Sequence, residues 1–138
     1  FPCKVGMQGD FNILNGLAAT AVGKQVGVSD VVIRRALIQF NGITGRFEEV
    51  YSKEFKVIID FAHTPNGLLN VLKAVRKIAK KRLILVFGCA AKRDIEKRSV
   101  MGKYASQYAD VVILTEEDYR DENVEKIMRE IGKQLREF

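Results

Sequence analysis

KVIIDFAHTPNG, residues 56 to 67, changes character twice, and those two changes set the fold. Val57, Ile58 and Ile59 form a β-branched apolar run that fits a strand covered on both faces of a sheet. The strand ends at Asp60. A polar stretch follows with His63, the only histidine of the chain, then a Thr-Pro and an Asn-Gly pair. Beyond it Leu68, Leu72, Val75 and Ala79 recur at helical spacing. Strand, polar loop and helix in that order make one unit of an open α/β sheet, where ligands bind beyond the carboxyl ends of the strands. Asp60 and His63 stand at that end.

Downstream the alternation continues. Strands are expected at 47–51, 56–61, 83–87 and 111–114, and helices at 67–80, 97–109 and 122–137. LILVF (Leu83 to Phe87) and VVIL (Val111 to Leu114) are too apolar to face water on either side, which predicts a Rossmann-like α/β fold: an open, mostly parallel sheet with helices on both faces. Val124, Ile127, Met128, Ile131 and Leu135 share one face of the last helix and read as core.

Upstream the pattern is different. Residues 1–8 show no period, and Pro2, Gly6 and Gly9 suggest an irregular segment. Leu14, Leu17, Ala18, Ala21 and Val22 mark an amphipathic helix from Phe11, with Asp10 placed to cap it and Gly23 and Gly27 to close it. A second helix, capped by Ser29, carries Ile33, Ala36, Leu37 and Phe40, so the two form an αα-hairpin. The turn cluster NGITG, Asn41 to Gly45, separates this helical part, residues 1–44, from an α/β part, residues 45–138. A start at Phe1 in mid-pattern, without an initiator Met, is expected of a piece of a longer chain.

Composition narrows the partners. The net charge of +6 is spread along the chain, with KKR at Lys80 to Arg82 as the one tight basic cluster. Nucleic-acid binders concentrate such charge on one face, so nucleic acid is not expected, whereas nucleotide phosphates suit it equally well. No run is long enough to cross a bilayer, and Cys3 and Cys89 lack a second metal ligand at usable spacing. A cytoplasmic monomer with reduced thiols and no metal site of its own is expected.

Three loops fall on the carboxyl edge of the predicted sheet: FAHTPN, GCAAKRDIEK and TEEDYRDE. GCAAK is not a dinucleotide fingerprint, and G-x-x-x-x-G-K-[ST] occurs nowhere. His63 could act as a general base, a phosphate contact or a loop anchor. Asp60 suits either the diol of a ribose or a loop-capping bond. Asn12 and Asn15 sit on adjacent turns of the first helix, where Asn is a poor helix former; their amides match either an adenine edge or a helix-start hydrogen bond.

Four blocks, FNILNGLAATAVG (11–23), GRFEEV (45–50), DFAHTPNGL (60–68) and VFGCAAKRDIEKRSVMG (86–102), together resemble the Mur ligases, most closely those that add the third amino acid of the peptidoglycan stem peptide. The resemblance covers almost the whole chain. It implies the end of an ATP-binding central domain at 1–44 and an incomplete C-terminal Rossmann-like domain at 45–138. It further implies a fragment of an ATP- and Mg-dependent amide ligase acting on a UDP-N-acetylmuramoyl-dipeptide and an amino acid through an acyl phosphate. By the same likeness Asn12, Asn15, Arg46, Asp60 and His63 face the nucleotide, and Arg93, Asp118 and Arg120 face the incoming amino acid.

The family's phosphate loop and Mg ligands would precede Phe1. Its GCGGDRD motif reads GCAAKRD here, and its DNPR motif reads EDYR, Glu117 to Arg120. The altered glycine loop raises the alternative of a non-catalytic nucleotide-binding or interaction domain derived from such a ligase. Five carboxylates, Glu116, Glu117, Asp118, Asp121 and Glu122, flank Arg120; either they simply face water and cap the final helix, or they favour a lysine-like substrate in place of diaminopimelate.

Overall fold

A computed structural model describes residues 4–135. Pro2, Cys3 and the last two positions of the predicted 122–137 helix lie outside the described residues. By its packing the chain divides into two compact units, one ending at Phe61 and the other beginning at Ala62.

The first unit contains α1 (Asp10–Gln25), α2 (Asp30–Gln39), β1 (Glu48–Ser52) and β2 (Lys56–Ile59). The αα-hairpin forms, but the faces differ from expectation. Leu14, Leu17 and Val22 are exposed, while α1 buries Asn12 and Gly16. Small residues decide this: a Cβ on Gly16 would stand 2.8 Å from Val5, and one on Gly23 would stand 3.1 Å from Ile33. Close approach through these glycines turns the leucine stripe outward. Asp10 lies in the first turn, and Gly9 is the N-cap. Ser29 holds the N-cap position of α2, but its backbone carbonyl makes the bond, accepting from the Ile33 amide at 3.0 Å. Gly23 lies within α1, and the chain leaves it at Gly27, whose φ of +82° suits glycine. β1 and β2 form an antiparallel hairpin whose register shifts between Glu49 and Tyr51.

The second unit contains α3 (Pro65–Ile78), β3 (Ile84–Phe87), α4 (Glu96–Tyr108), β4 (Val111–Leu114) and α5 (Val124–Gly132). α3 starts two residues earlier than its periodicity suggests because Thr64 caps it, its Oγ1 accepting from the Gly67 amide at 3.1 Å, with Pro65 in the first turn. β3 and β4 pair in parallel, joined through α4, with Ile84 opposite Val111 and Phe87 opposite Leu114. This small parallel sheet with its helical crossover is the α/β architecture read from the sequence.

Leu68, Leu72, Met101, Ile127 and Ile131 from the three helices form one core, against which Leu85, Phe87 and Leu114 pack. Ile84, Val86 and Ile113 point to the opposite face and are about half exposed. Burial of both strand faces is therefore not met within this unit. α4 and α5 meet at Gly102, where a Cβ would stand 2.0 Å from the Ile131 carbonyl oxygen. At the amino ends of the strands Asp110 accepts from the Leu83 amide and from Arg76, both at 2.7 Å, which fixes the opposite end to the functional loops.

Candidate functional site

The first unit holds a cleft of about 390 Å³, lined in part by Gly6, Gln8, Asn12, Thr44, Arg46 and Phe47. Small-molecule sites span about 300 to 1,000 Å³, so the cleft is large enough for part of a nucleotide. Asn12 and Arg46, widely separated in sequence, meet on this one surface. Asn12 is 3% exposed, and its amide is already engaged: Nδ2 donates to the Gln8 carbonyl at 2.7 Å, and Oδ1 accepts from Asn15 at 3.0 Å. This is the helix-start hydrogen bonding weighed above. Asn15 supports Asn12 and does not line the cleft.

Arg46 is exposed, its guanidinium 4.4 Å above the centre of the Phe61 ring, so a cation–π contact orients it. Asp60 stands beside the cleft and not in its lining. Its Oδ2 accepts from the Phe47 amide at 2.8 Å. Phe47 has a φ of +50°, uncommon for a residue with a side chain, and packs edge-on against Phe11 at 5.8 Å. One Asp60 oxygen thus secures a strained loop residue.

In the second unit three loops converge on the start of α4. His63 is exposed, and its backbone carbonyl accepts from the buried Lys97 ammonium at 2.9 Å. Gly88 lets the loop after β3 pass the loop after β4: a Cβ there would lie 2.4 Å from the Thr115 oxygen. The Ala91 amide then donates to the Asp118 carbonyl at 3.0 Å. Ala90 and Ala91 are not among the residues at positive φ, so this backbone does not require glycine there. Lys92 and Asp94 do adopt positive φ, and they bracket the exposed Arg93.

Three of the five carboxylates around Arg120 are paired. Asp118 accepts from Arg120 at 3.1 Å, Asp121 from Lys92 at 2.6 Å, and Glu122 from Arg98 at 2.8 Å. The Arg98 guanidinium, assisted by the Lys92 amide, holds Glu122 down at about 2, and the Lys92 ammonium lowers Asp121. Counting charges along the sequence therefore overstated the acidity of this loop. Arg120, at φ +51°, keeps an exposed ion pair with Asp118, of a kind that contributes only about 0 to 1 kcal/mol. Cys89 is buried and burial pushes its thiol up to about 11, which leaves it unreactive.

Lys97 and Arg98, both buried, received no role from sequence. A signal was present: Arg98, Met101, Gly102 and Ala105 follow the i, i+3, i+4, i+7 spacing of a core stripe, so an arginine stood in an apolar row. Among the described residues no group of three His, Cys, Asp or Glu side chains could hold a metal ion. No helix among them is long and apolar enough to cross a membrane.

Residues 45–138 match the family described as Mur ligase, glutamate ligase domain. A UDP-N-acetylmuramoyl-L-alanyl-D-glutamate–2,6-diaminopimelate ligase of Aquifex aeolicus is 49% identical over 123 residues, covering 89% of this chain and 25% of that protein. A solved ligase of the same description aligns with 98% of this chain and 28% of its own at 31% identity and a TM-score of 0.64. A pseudomurein peptide ligase type C from Methanothermus fervidus aligns over 98% of this chain and 25% of its own, at 27% identity and a TM-score of 0.74. The chain spans about a quarter of the length of the curated relatives it matches.

Proposed function

Because the chain belongs to the Mur ligase family, we propose that it is part of an ATP-dependent ligase that joins 2,6-diaminopimelate to a UDP-N-acetylmuramoyl-dipeptide in peptidoglycan synthesis. The observation that carries this reading is similarity to diaminopimelate ligases, at 49% and 39% identity, across 89% and 95% of the chain. Residues 1–44 belong to the ATP-binding central domain and 45–138 to the C-terminal domain. The reaction and its UDP-linked substrate fit a cytoplasmic location.

ATP supplies the phosphoryl group that activates the substrate carboxylate for attack by the amino-acid amine. The cleft at Asn12 and Arg46 holds the adenosine side. Asn12 keeps one amide hydrogen for the base, and Arg46, steadied on Phe61, faces the phosphates. The second oxygen of Asp60 is left for a ribose hydroxyl. Arg93 and Arg120 take the carboxylates of the amino acid, because a planar fork suits a carboxylate, and Asp118 takes its ammonium. Asp121 and Glu122, matched by Lys92 and Arg98, leave less negative charge to repel a second carboxylate, which supports diaminopimelate over a lysine-like diamine.

The test is phosphate release by the full-length protein that carries this chain, given ATP and UDP-N-acetylmuramoyl-dipeptide with diaminopimelate and lysine in competition. The expected product contains diaminopimelate, and Arg120→Ala lowers its formation. Dominant lysine incorporation refutes the amino-acid assignment. Nucleotide binding with no amino-acid-dependent turnover favours the non-catalytic domain, the reading suggested by the altered GCAAK loop.

A further inference from the structure

Arg98 is the largest fully buried side chain described, with no exposed surface. Its guanidinium spans four acceptors. Nη1 donates to Glu122 Oε1 at 2.8 Å and to Glu130 at 2.6 Å; Nη2 donates to Glu122 Oε2 at 2.8 Å and to the Ala90 carbonyl at 3.2 Å. Nε is buried without a partner. The fork on Glu122 is bidentate, the strongest geometry a carboxylate allows.

Stability alone does not account for this arrangement. Buried ion pairs are often matched or exceeded by apolar residues of similar volume when all partners are replaced together, so core stability by itself does not call for an arginine in this row. What the guanidinium does, and methionine cannot, is tie two loops together. Ala90 lies in the loop after β3, and Glu122 lies just beyond Arg120 in the loop after β4. Glu122 Oε2 also accepts from the Lys92 amide at 3.1 Å, so one carboxylate touches both loops. Lys92, Asp94 and Arg120 hold positive φ values of 51°, 31° and 51°. Such conformations persist only where the surroundings over-determine them.

We infer that the buried pair Arg98–Glu122 is a positioning device that sets the spacing of Arg93 and Arg120, and thereby selects an amino acid carrying a second carboxylate. The inference rests on the function proposed above. Neither Arg98 nor Glu122 touches substrate; they act through the loops they join.

The experiment compares the full-length ligase with its Arg98→Lys, Arg98→Met and Glu122→Gln variants, measuring kcat and the separate KM values for diaminopimelate and ATP. The expected result is a KM for diaminopimelate raised about tenfold or more in Arg98→Met and Glu122→Gln, equivalent to losing about one oriented contact, with the KM for ATP nearly unchanged. Arg98→Lys restores part of the loss, because an ammonium pairs with Glu122 but cannot fork it. Should Arg98→Met fail to fold, Glu122→Gln carries the test, since Arg98 keeps Glu130 and Ala90. A fall in kcat or in active fraction with both KM values unchanged means a purely structural role and overturns the inference. A wild-type enzyme that shows no amino-acid-dependent turnover overturns the underlying reading, and the inference with it.

Discussion

Replacing Asp60 by alanine separates two jobs that one carboxylate can do. Its Oδ2 accepts the Phe47 amide at 2.8 Å, and Phe47 sits at φ +50°. A hydrogen bond to a charged group contributes about 1.5 to 3 kcal/mol, and Asp60 is only half buried, so the lower end, about 1.5 to 2 kcal/mol, applies here. The left-handed conformation of Phe47 itself costs about 1 to 2 kcal/mol, so without its acceptor the segment gains by relaxing. Asp60→Ala should therefore loosen the loop before any nucleotide is considered. Amide hydrogen exchange in the 138-residue chain reads this at one site. The Phe47 amide should exchange on the order of ten to thirty times faster, the equivalent of about 1.5 to 2 kcal/mol. Asp60→Asn, which retains an amide oxygen as acceptor, should lose less. If Asp60→Ala leaves Phe47 exchange unchanged while nucleotide affinity falls, the capping argument is wrong and the carboxylate serves the ligand alone.

Other perturbations test the second unit. Gly102→Ala forces a Cβ to 2.0 Å from a backbone oxygen that cannot swing away; it should destabilise by about 1 to 3 kcal/mol in urea unfolding despite alanine's better helix propensity. Leu72→Ala, at a side chain 1% exposed, should cost about 2 to 5 kcal/mol in the same assay. Glu122 has its folded pKa depressed from 4.5 to about 2, so the stability it contributes is complete above the unfolded value and is lost as pH falls from about 4.5 toward 2. Glu122→Gln should flatten acid unfolding over that window, and an unchanged acid limb would count against the Arg98 pairing.

Legibility followed how local the determining physics was. Strands at 83–87 and 111–114 and the helix between them were readable because an apolar run and a 3.6-residue period are carried by the residues themselves. The facing of α1 was not. Leu14, Leu17 and Val22 give a stronger apolar stripe than Asn12 and Gly16, yet the helix buries the latter, because glycine permits an approach to α2 that a leucine row cannot match. A pattern of hydrophobicity reports which side would gain by burial. It does not report how near another backbone can come.

The site divides in the same way. Asn12 could be named because an amide on a helix is chemically conspicuous, Arg46 only through the resemblance to the Mur ligases, and the fold brings both to one cleft. The charge of the loop from Thr115 to Glu122 could not be read by counting, since its partners Lys92 and Arg98 stand 29 and 24 residues from Asp121 and Glu122. Pairing changes what such a loop offers. An isolated cluster of carboxylates would draw an ammonium; with Asp121 and Glu122 matched by Lys92 and Arg98, less of that negative charge is left around the exposed Arg120–Asp118 pair. Substrate charge preference at a loop of this kind follows from which charges the fold has already matched.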